Sequence, residues 1–371
     1  MSTKISATIV ADSLGPNGDR VTSILVTFPR FILAELNTHR MLSKNSASSR
    51  AIPFKKMVES VQNNPFIPIA WQKEHSGMQG TEYWTIDDKV RIDIGNENEY
   101  REDIQPITEE FRIRWLEARD NAVNVARGLT NLGLTKQLTN RLLEPFMWHT
   151  VLISGTEFSN FFNLRCPQYT TPVMGEGFYA KSWKDLIKNH SDEDNLKLLE
   201  SNKDNILFKL QHNKGQAEIH IMALAEAMWD AMNESMPNQL KPGEWHIPYE
   251  DKINEMFTID QLLLDVDGIP ISVKIGSIMA ARTSYTVVDT ELSEWTAIKY
   301  CTKADELSNV QPIHASPFEH GSKCMSDDEY MRFVKGYANE GHDGLGFDDN
   351  QKGWCNNFKG FIQYRYLLEN K

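Results

Sequence analysis

A dense group of polar and cationic side chains lies between residues 36 and 53, in the stretch LNTHRMLSKNSASSRAIP. His39 and Arg40 precede four serines and an asparagine, and Arg50 follows them. Guanidinium groups bind phosphate through paired N–H donors, and serine hydroxyls add further donors. These residue types favour a site for a phosphate or diphosphate, and they leave a solvated helix end open as the alternative.

The elements around this stretch must position it. Residues 21–28 are β-branched and apolar, as in a buried strand, and Pro29 opens a segment with Ile32 and Leu36 on one helical face. We therefore predict a strand and an apolar helix that anchors the arginines in the core. A polar turn containing the serines would follow, and then a short helix over residues 53–62.

Longer patterns further along the chain also predict helices. Apolar residues from Phe111 to Leu129 recur every three or four positions. The segment TEFSNFFNLR has Thr156 as its expected N-cap, and QAEIHIMALAEAMWDAMNESMP ends at a proline. LTKQLTNRLLEPFMW is expected to be helical up to its proline, whereas residues 64–103 have weak periodicity and are expected to be irregular.

The totals restrict the class of protein. The chain has 371 residues, a formal net charge of −12 and 40% apolar residues, and no apolar run approaches the length of a membrane span. The net charge disfavours general adhesion to nucleic acid or to an anionic membrane. We expect a cytoplasmic protein that holds any phosphate with a few placed arginines.

Several familiar chemistries are absent from the sequence. It contains no GxxxxGK[ST], GxGxxG or GxSxG motif. The four cysteines are far apart without a CxxC pair, so we expect reduced thiols and a structural role for Cys166. His314 and His320 in HASPFEH do not have the spacing of a helical histidine pair, so we expect no metal site.

The arginine and serine set resembles the signature of the flavin-dependent thymidylate synthases. That signature is Arg-His-Arg, two residues, Ser, four residues, Ser, one residue, Arg. The chain has Thr38-His39-Arg40, then Ser43, Ser48 and Arg50 at the same spacing. HASPFEH (314–320) is similar to the family's flavin-facing segment, and AARTSY (280–285) resembles the element before it. TNRLLEP and TEFSNFFNLR look like later helices of the family.

The resemblance implies a fold and a set of roles. The fold would be α+β, with a mostly antiparallel sheet packed with helices. Arg141 and Arg165 would be catalytic, and the substrate would be bound by Ser48, Arg50, Arg141 and Arg165. FAD would be bound by His39, Arg40, Asn160, His314, Ser316 and Glu319. The segment FIQYR also places Gln363, Tyr364 and Arg365 in a further site position, without an assigned role.

The order of the blocks differs from that of the family. AARTSY and HASPFEH follow the Arg-His-Arg block here, whereas in the family they precede it. This resembles a divergent, circularly permuted branch of phage type, in which the usual termini lie near each other. We expect one domain over residues 1–371, with insertions at about 58–131 and 166–215 and the permuted segment at about 272–325.

The activity implied is transfer of a one-carbon unit from methylenetetrahydrofolate to C5 of dUMP, giving dTMP. FAD would be the cofactor, and NADPH and methylenetetrahydrofolate the co-substrates. The family also implies a homo-oligomer, with a tetramer as its usual form. Thr38, Ser46 and Ala51 depart from the family's arginine, acidic and aromatic residues. These departures leave open hydroxymethylation of dCMP or dUMP, or a non-catalytic flavin- or nucleotide-binding relative.

Overall fold

The computed structural model of the chain describes residues 5–77, 80–93, 102–171, 179–189, 192–255, 268–283, 294–335 and 350–370. Ser284 and Tyr285 of AARTSY therefore lie outside the described residues. The strands in the first half of the chain are β1 (Ser6–Leu14), β2 (Arg20–Pro29), β3 (Ser43–Ser46), β4 (Trp71–Gln72), β5 (Tyr83–Trp84), β6 (Lys89–Asp93), β7 (Glu102–Pro106) and β8 (Trp148–Gly155). Those that follow are β9 (Asn238–Gln239), β10 (Trp245–His246), β11 (Ser322–Cys324), β12 (Trp354–Cys355), β13 (Phe358–Lys359) and β14 (Phe361–Gln363).

The helices are distributed along the whole chain. They are α1 (Leu33–Asn37), α2 (Phe54–Asn63), α3 (Ile107–Asn131), α4 (Lys136–Thr139), α5 (Ser159–Arg165), α6 (Trp183–Lys188), α7 (Glu193–Ser201), α8 (Ile206–Gln211), α9 (Ile219–Glu234), α10 (Glu250–Asn254), α11 (Ile271–Arg282), α12 (Glu294–Asn309), α13 (Asp327–Arg332) and α14 (Tyr364–Glu369). Short 3₁₀ helices cover Arg30–Ile32, Asn140–Phe146 and Ser316–Glu319.

The largest sheet among the described residues has the strand order β3-β8-β2-β1-β9. All of its pairs are antiparallel except the two-residue contact between β1 and β9. A smaller antiparallel sheet has the order β10-β11-β14, and β12 and β13 form a two-residue hairpin. The α+β class with a mostly antiparallel sheet is therefore confirmed, while its relation to a particular enzyme fold stays a prediction.

The central strands are buried on both faces, which explains the continuous apolar run in β2. Ile24 and Val26 belong to a cluster with α5 and α9, whereas Leu25 packs on the cluster that contains α11. Successive side chains of a strand point to opposite faces, so the sheet is covered by helices on both sides. Nine consecutive residues of α11, 272–280, are buried, which places this helix deep in the molecule.

The segment expected as a charged surface insertion contains a small core of its own. Tyr169, Trp183, Leu186 and Leu199 pack together beneath the short helices α6 to α8. The backbone N–H of Trp183 donates to Glu226 of α9 at 2.8 Å, which ties this segment to the main body. Its status as an insertion into a family domain stays a prediction.

Three local predictions were wrong. The expected polar turn contains strand β3, which pairs with β8 along Ser43–Ser46. Helix α5 begins at Ser159 and has Phe158 at its N-cap, because the Thr156 hydroxyl accepts a hydrogen bond from the Lys359 backbone instead. The helix expected to end at Pro145 continues as a 3₁₀ helix to Phe146.

The helix before the signature is also shorter than predicted. It consists of a 3₁₀ turn over Arg30–Ile32 followed by the five residues of α1. Ile32 and Leu36 are fully buried, as expected. Arg40 and Arg50 are exposed, so this helix buries the neighbouring His39 and not the arginines.

Candidate functional site

A polar cavity of about 560 Å³ lies at the N-terminal end of β3, beside Ser43 and Lys44. We call it the Arg40 cavity, and its lining includes Arg40, Ser43, Lys44, Glu319, Gln363 and Arg365. Arg40 and Glu319 come from two blocks of the resemblance that are far apart in the chain. A third block joins them, because the Asn45 side-chain amide donates to the Ala280 carbonyl oxygen at 2.6 Å.

The charged side chains that line the Arg40 cavity differ in how many partners of opposite charge they have. Arg365 donates to Glu319 at 2.5 Å and to Glu369 at 2.9 Å, so two carboxylates neutralise one guanidinium. Within the described part of the chain, Arg40 has neither a hydrogen bond nor an ion pair. Thr38, at the first position of the signature, is uncharged and donates its hydroxyl to the Glu35 carbonyl oxygen at 2.7 Å.

Lys44 contributes a second cation to the cavity. Its Nζ donates to the carbonyl oxygens of His39 at 2.6 Å and Leu42 at 2.9 Å. Burial lowers the pKa of Lys44 to about 8, and the nearby Glu319 carboxylate partly offsets that effect. Sequence reasoning concentrated on arginines and serines and overlooked this lysine, although it lies inside the signature.

A network of carboxamides holds the cavity wall together. Gln363 is 1% exposed, and its Nε2 lies within 3.2 Å of the Ser43 hydroxyl and the Glu319 carbonyl oxygen. The Asn357 side-chain amide donates to the Met41 carbonyl oxygen at 3.0 Å and to the Ser43 hydroxyl at 3.1 Å. Asn356 has a φ of 54° at the turn of the β12–β13 hairpin, a left-handed conformation that asparagine tolerates well. FIQYR therefore supplies Gln363 and Arg365 to the cavity lining, whereas Tyr364 packs in the core.

His39 and Arg165 contact each other behind this cavity. Arg165 donates its Nε–H to His39 Nε2 at 3.1 Å, and the His39 ring packs edge-on against Phe161. Burial, with Arg165 and then Lys44 nearby, lowers the pKa of His39 to about 4. His39 is therefore neutral at pH 7, and its ring proton lies on Nδ1 because Nε2 accepts from Arg165.

A second group lies at the other end of β3, which we call the Glu144 cluster (Arg30, Ser49, Arg141 and Glu144). The Ser49 hydroxyl donates to Glu144 Oε1 at 2.6 Å. The guanidinium groups of Arg30 and Arg141 lie 3.6 and 3.8 Å from the same oxygen. Of the predicted substrate residues, Arg141 belongs to this cluster, and Ser48 and Arg50 flank its member Ser49 in the sequence.

The two groups do not share one cavity. Ser43 and Ser48 are five positions apart, and a strand rises about 3.3 Å per residue, so they are separated by more than about 10 Å. Arg50 is exposed and has no hydrogen bond or ion pair among the residues that the structure describes. His149 is buried next to Arg30, and its Nε2 accepts a hydrogen bond from an Arg30 guanidinium nitrogen at 2.9 Å. Burial, followed by the charge of Arg30, lowers the pKa of His149 to about 3.

Four of the predicted cofactor residues lie outside the cavity lining, namely His39, which contacts Arg165, and the exposed Asn160, His314 and Ser316. Asn160 is exposed in the first turn of α5, and His314 and Ser316 are exposed before and at the start of a 3₁₀ helix. The structure thus brings together Arg40 with Glu319, and His39 with Arg165. Asn160, His314 and Ser316 are not among the residues that line the cavity.

His320 of HASPFEH is part of the core. It is fully buried, and its Nδ1 lies 2.8 Å from the Ser154 hydroxyl. Among the described residues, no group of three His, Cys, Asp or Glu side chains is arranged to hold a metal ion. Cys166 is buried, and burial raises the pKa of its thiol well above the ordinary value, which agrees with a structural role. Within the described residues no helix has the length and apolar character needed to cross a membrane.

Comparisons with known proteins find little relationship in sequence. No protein-family model matches the chain, and no curated protein matches it. Two solved structures that resemble it are of the UMP/dUMP methylase PolB from Streptomyces cacaoi, bound with 5-Br dUMP and with 5-Br UMP. Their sequences are 12% and 13% identical to it, over 56% and 57% of this chain and 93% of that one. The TM-scores are 0.31 and 0.33, so this likeness identifies neither a fold family nor an activity.

Proposed function

We propose that this chain is a flavin-dependent enzyme that methylates C5 of dUMP, as the thymidylate synthases that its sequence resembles do. The net reaction would be dUMP, methylenetetrahydrofolate, NADPH and a proton giving dTMP, tetrahydrofolate and NADP⁺. We further propose that the order of the sequence blocks is a circular permutation and that the chain works as a homo-oligomer. Sites shared between subunits are a property of the resembled family.

One observation supports this proposal above the others. Three sequence blocks that resemble one family meet in space although they are far apart in the chain: residues 38–50, the Ala280 end of AARTSY, and residues 314–320. Arg40 and Glu319 line the same cavity, and Asn45 is hydrogen-bonded to Ala280. Unrelated stretches that matched a family by chance would have no physical reason to assemble at one site.

The residues of the Arg40 cavity fit a flavin dinucleotide. The cavity volume of about 560 Å³ lies within the usual range for small-molecule sites. Arg40 and Lys44 supply positive charge for a diphosphate, and the Asn356 side chain lies at the cavity with its carboxamide oxygen available to a polar ring edge. When bound, FAD would supply the hydride chemistry and the means of carrying the one-carbon unit.

The chain's own side chains would bind and orient the ligands. Arg40 would bind a phosphate of the cofactor, and the network around Gln363 would hold the cavity wall in place. Neutral His39 would keep the Arg165 guanidinium oriented, since it accepts the Arg165 Nε–H and leaves the terminal N–H donors available. Those donors would polarise a pyrimidine carbonyl as C5 becomes nucleophilic.

The nucleotide phosphate would bind at the other end of β3. Arg50 is exposed, and Arg141 reaches Glu144 only at 3.8 Å, so both guanidinium groups are available to an incoming anion. The hydroxyl of Ser48 lies between them in sequence and would add a donor. No cysteine takes part in this scheme, in agreement with the burial of Cys166.

The decisive experiment uses the purified full chain with FAD, NADPH and methylenetetrahydrofolate. dUMP and dCMP are supplied in parallel, the nucleotide products are analysed by mass spectrometry, and NADPH oxidation is followed by absorbance. The expected result is a product one methyl group heavier than dUMP, formed with one NADPH consumed per turnover.

Two other outcomes would each assign a different function. A hydroxymethylated product, formed with water and without NADPH consumption, would identify the hydroxymethyltransferase alternative suggested by Ser46 and Ala51. Binding of FAD or dUMP without any product would indicate a non-catalytic relative. A chain that binds neither ligand would contradict the proposal altogether.

A further inference from the structure

The Arg40 cavity contains a lysine whose role the proposed reaction does not explain. Lys44 lies between Ser43 and Asn45 in β3, whose side chains alternate between buried and partly exposed positions. Ser43 and Asn45 point inward and are held by hydrogen bonds to Asn357 and Ala280. Lys44 therefore points to the other face of the strand, and the cavity at this end of β3 is lined by both Ser43 and Lys44.

The hydrogen bonds of Lys44 leave it one donor for a ligand. An ammonium group has three N–H donors, and two of them go to the carbonyl oxygens of His39 and Leu42. The same two contacts hold the loop that carries Arg40, so Lys44 and Arg40 are fixed relative to each other. Arg40 has no carboxylate partner among the described residues, and the Glu319 carboxylate near Lys44 is in direct contact with Arg365 at 2.5 Å.

We propose that Lys44 binds a phosphate group of the cavity's ligand, acting together with Arg40 as a two-cation site for a diphosphate. The inference rests on the proposed function in taking FAD as that ligand. Lys44 would thereby supply near Arg40 the positive charge that Thr38 does not provide.

The charged groups around Lys44 determine how this site responds to pH. On its own segment these are His39 and Arg40, and from α5 Arg165 stands behind His39. From the opposite wall Glu319, Arg365 and Glu369 face the cavity. His39, with a pKa lowered to about 4, is neutral above pH 5. Lys44, with a pKa lowered to about 8, is then the cavity group that changes charge in the neutral to alkaline range.

The binding of a diphosphate should therefore weaken as the pH rises. An anionic ligand binds preferentially to the protonated lysine, so binding raises the pKa of Lys44. Affinity is constant below pH about 8 and falls above it, as free Lys44 loses its proton. A site built on arginines alone would show no such fall, because a guanidinium stays charged throughout this range.

The test measures the dissociation constant of FAD at pH 7.0 and pH 9.5 for the wild type and three variants. Lys44→Gln should weaken binding about 10- to 100-fold at pH 7.0, the range expected for loss of a charge-assisted hydrogen bond. Lys44→Arg should bind as the wild type does at pH 7.0 and retain that affinity at pH 9.5. Lys55→Gln on α2 is the matched control, because it removes one positive charge from a side chain that is 89% exposed.

A second ligand separates this inference from the proposed function. ADP-ribose has the same diphosphate diester as FAD and lacks the flavin, so its charge is constant between the two pH values. If FAD fails to bind while ADP-ribose shows the Lys44-dependent fall, the two-cation site stands and the flavin assignment is wrong. If FAD binds with equal affinity at both pH values, or Lys44→Gln behaves like Lys55→Gln, the inference is overturned. Failure of both ligands to bind the wild type overturns it as well.

The result of this test does not depend on whether every variant folds as stably as the wild type. Lys44→Gln removes two contacts to backbone carbonyls and lowers stability to some degree. The comparison of the wild type with Lys44→Arg at the two pH values does not involve Lys44→Gln. A loss of stability in Lys44→Gln therefore leaves that comparison intact. A purely structural lysine would leave the affinity of the folded wild type independent of pH between 7.0 and 9.5.

Discussion

At the residue scale, Arg141 contacts the Glu144 carboxylate only loosely, at 3.8 Å, and 53% of its side chain is exposed. Such a pair contributes little to folding, because solvent screens it and the long side chain loses entropy when it is fixed. The Arg141 guanidinium would contribute appreciable free energy only to the binding of a second anion. Arg365 is the opposite case, since two carboxylates already occupy its donors.

Replacing Arg141 by alanine is expected to weaken dUMP binding about 10- to 100-fold, because one charge-assisted contact to the phosphate is lost. Deoxyuridine, which lacks the phosphate, should bind wild type and variant equally. The free energy of unfolding should change by no more than about 0.5 kcal/mol, as is usual for surface positions. Isothermal titration with both ligands and denaturant unfolding would measure these quantities.

The matched control is Arg112→Ala on α3, where a partly exposed arginine pairs with Glu109 at 3.0 Å far along the chain from the Glu144 cluster. This variant should leave dUMP affinity unchanged. An equal loss of affinity in both variants would show that net charge, and not a phosphate contact of Arg141, is responsible.

At the element scale, β3 is an edge strand made of four polar residues, which is an unusual composition for a strand. Its inner side chains are satisfied by partners from remote parts of the chain. Ser43 receives the Asn357 amide, and Asn45 donates to Ala280. The strand therefore depends on tertiary hydrogen bonds and not on local propensity, which is why the sequence pattern predicted a turn.

The β12–β13 hairpin should accordingly control the order of β3. Asn357→Ala removes donors to the Met41 carbonyl oxygen and the Ser43 hydroxyl, and should lower the free energy of unfolding by about 1–2 kcal/mol. Hydrogen exchange measured by mass spectrometry should show faster exchange in peptides covering residues 41–46 and 354–359. Peptides from α3 should be unaffected.

Asn121→Ala provides the comparison for that experiment, since Asn121 is exposed on α3 and has no hydrogen bond from its side chain within the described residues. It should change neither stability nor exchange around β3. Unchanged exchange at residues 41–46 in Asn357→Ala would mean that the hairpin does not stabilise the strand.

At the scale of the whole molecule, a chain of buried hydrogen bonds crosses the main sheet. The His246 ring lies 2.9 Å from the hydroxyls of both Ser13 and Ser23, Ser23 contacts Ser154 at 2.5 Å, and Ser154 contacts His320 at 2.8 Å. Both histidines are 0% exposed. Burial lowers their pKa values, to about 4 for His246 and about 3 for His320, so both are neutral in the folded protein.

Stability should therefore fall in mild acid. An unfolded histidine has a pKa near 6.5, so between that value and about 4 the unfolded chain binds more protons than the folded one. The melting temperature should be constant above pH about 7.5, one unit above the unfolded pKa, and should decrease most steeply as the pH falls from 6.5 to 5. Calorimetry or circular dichroism at half-unit pH intervals would follow it.

The variant His246→Asn removes one of the titrating groups and keeps a polar side chain. It should be less stable than the wild type at pH 7.5 and should lose less stability between pH 6.5 and 5. Burial raises the pKa values of Asp19, Asp230 and Glu250, and these carboxyl groups act in the opposite direction, so the difference between the wild-type and His246→Asn slopes isolates the contribution of His246. A wild-type melting temperature that does not change from pH 7 to pH 5 would contradict this account.

The sequence by itself determined the elements that depend on local periodicity and composition. Strand β2 and helix α2 lie within one residue of their predicted bounds, and helices α3 and α9 within four residues, because apolar periodicity records which faces are buried. It also contained Arg40, Glu319 and FIQYR as candidates for one site. What these residues bind stays a prediction until the proposed experiments are done.

The tertiary structure decided the features that arise from contacts between remote segments. It made a polar stretch into strand β3, placed Arg40 and Glu319 on one cavity, and left Asn160, His314 and Ser316 out of the lining of that cavity. It also gave Lys44 its lowered pKa, since a charge loses hydration only when distant walls close around it. Hydrogen bonds and desolvation of this kind depend on distances in space, which residue spacing along the chain does not specify.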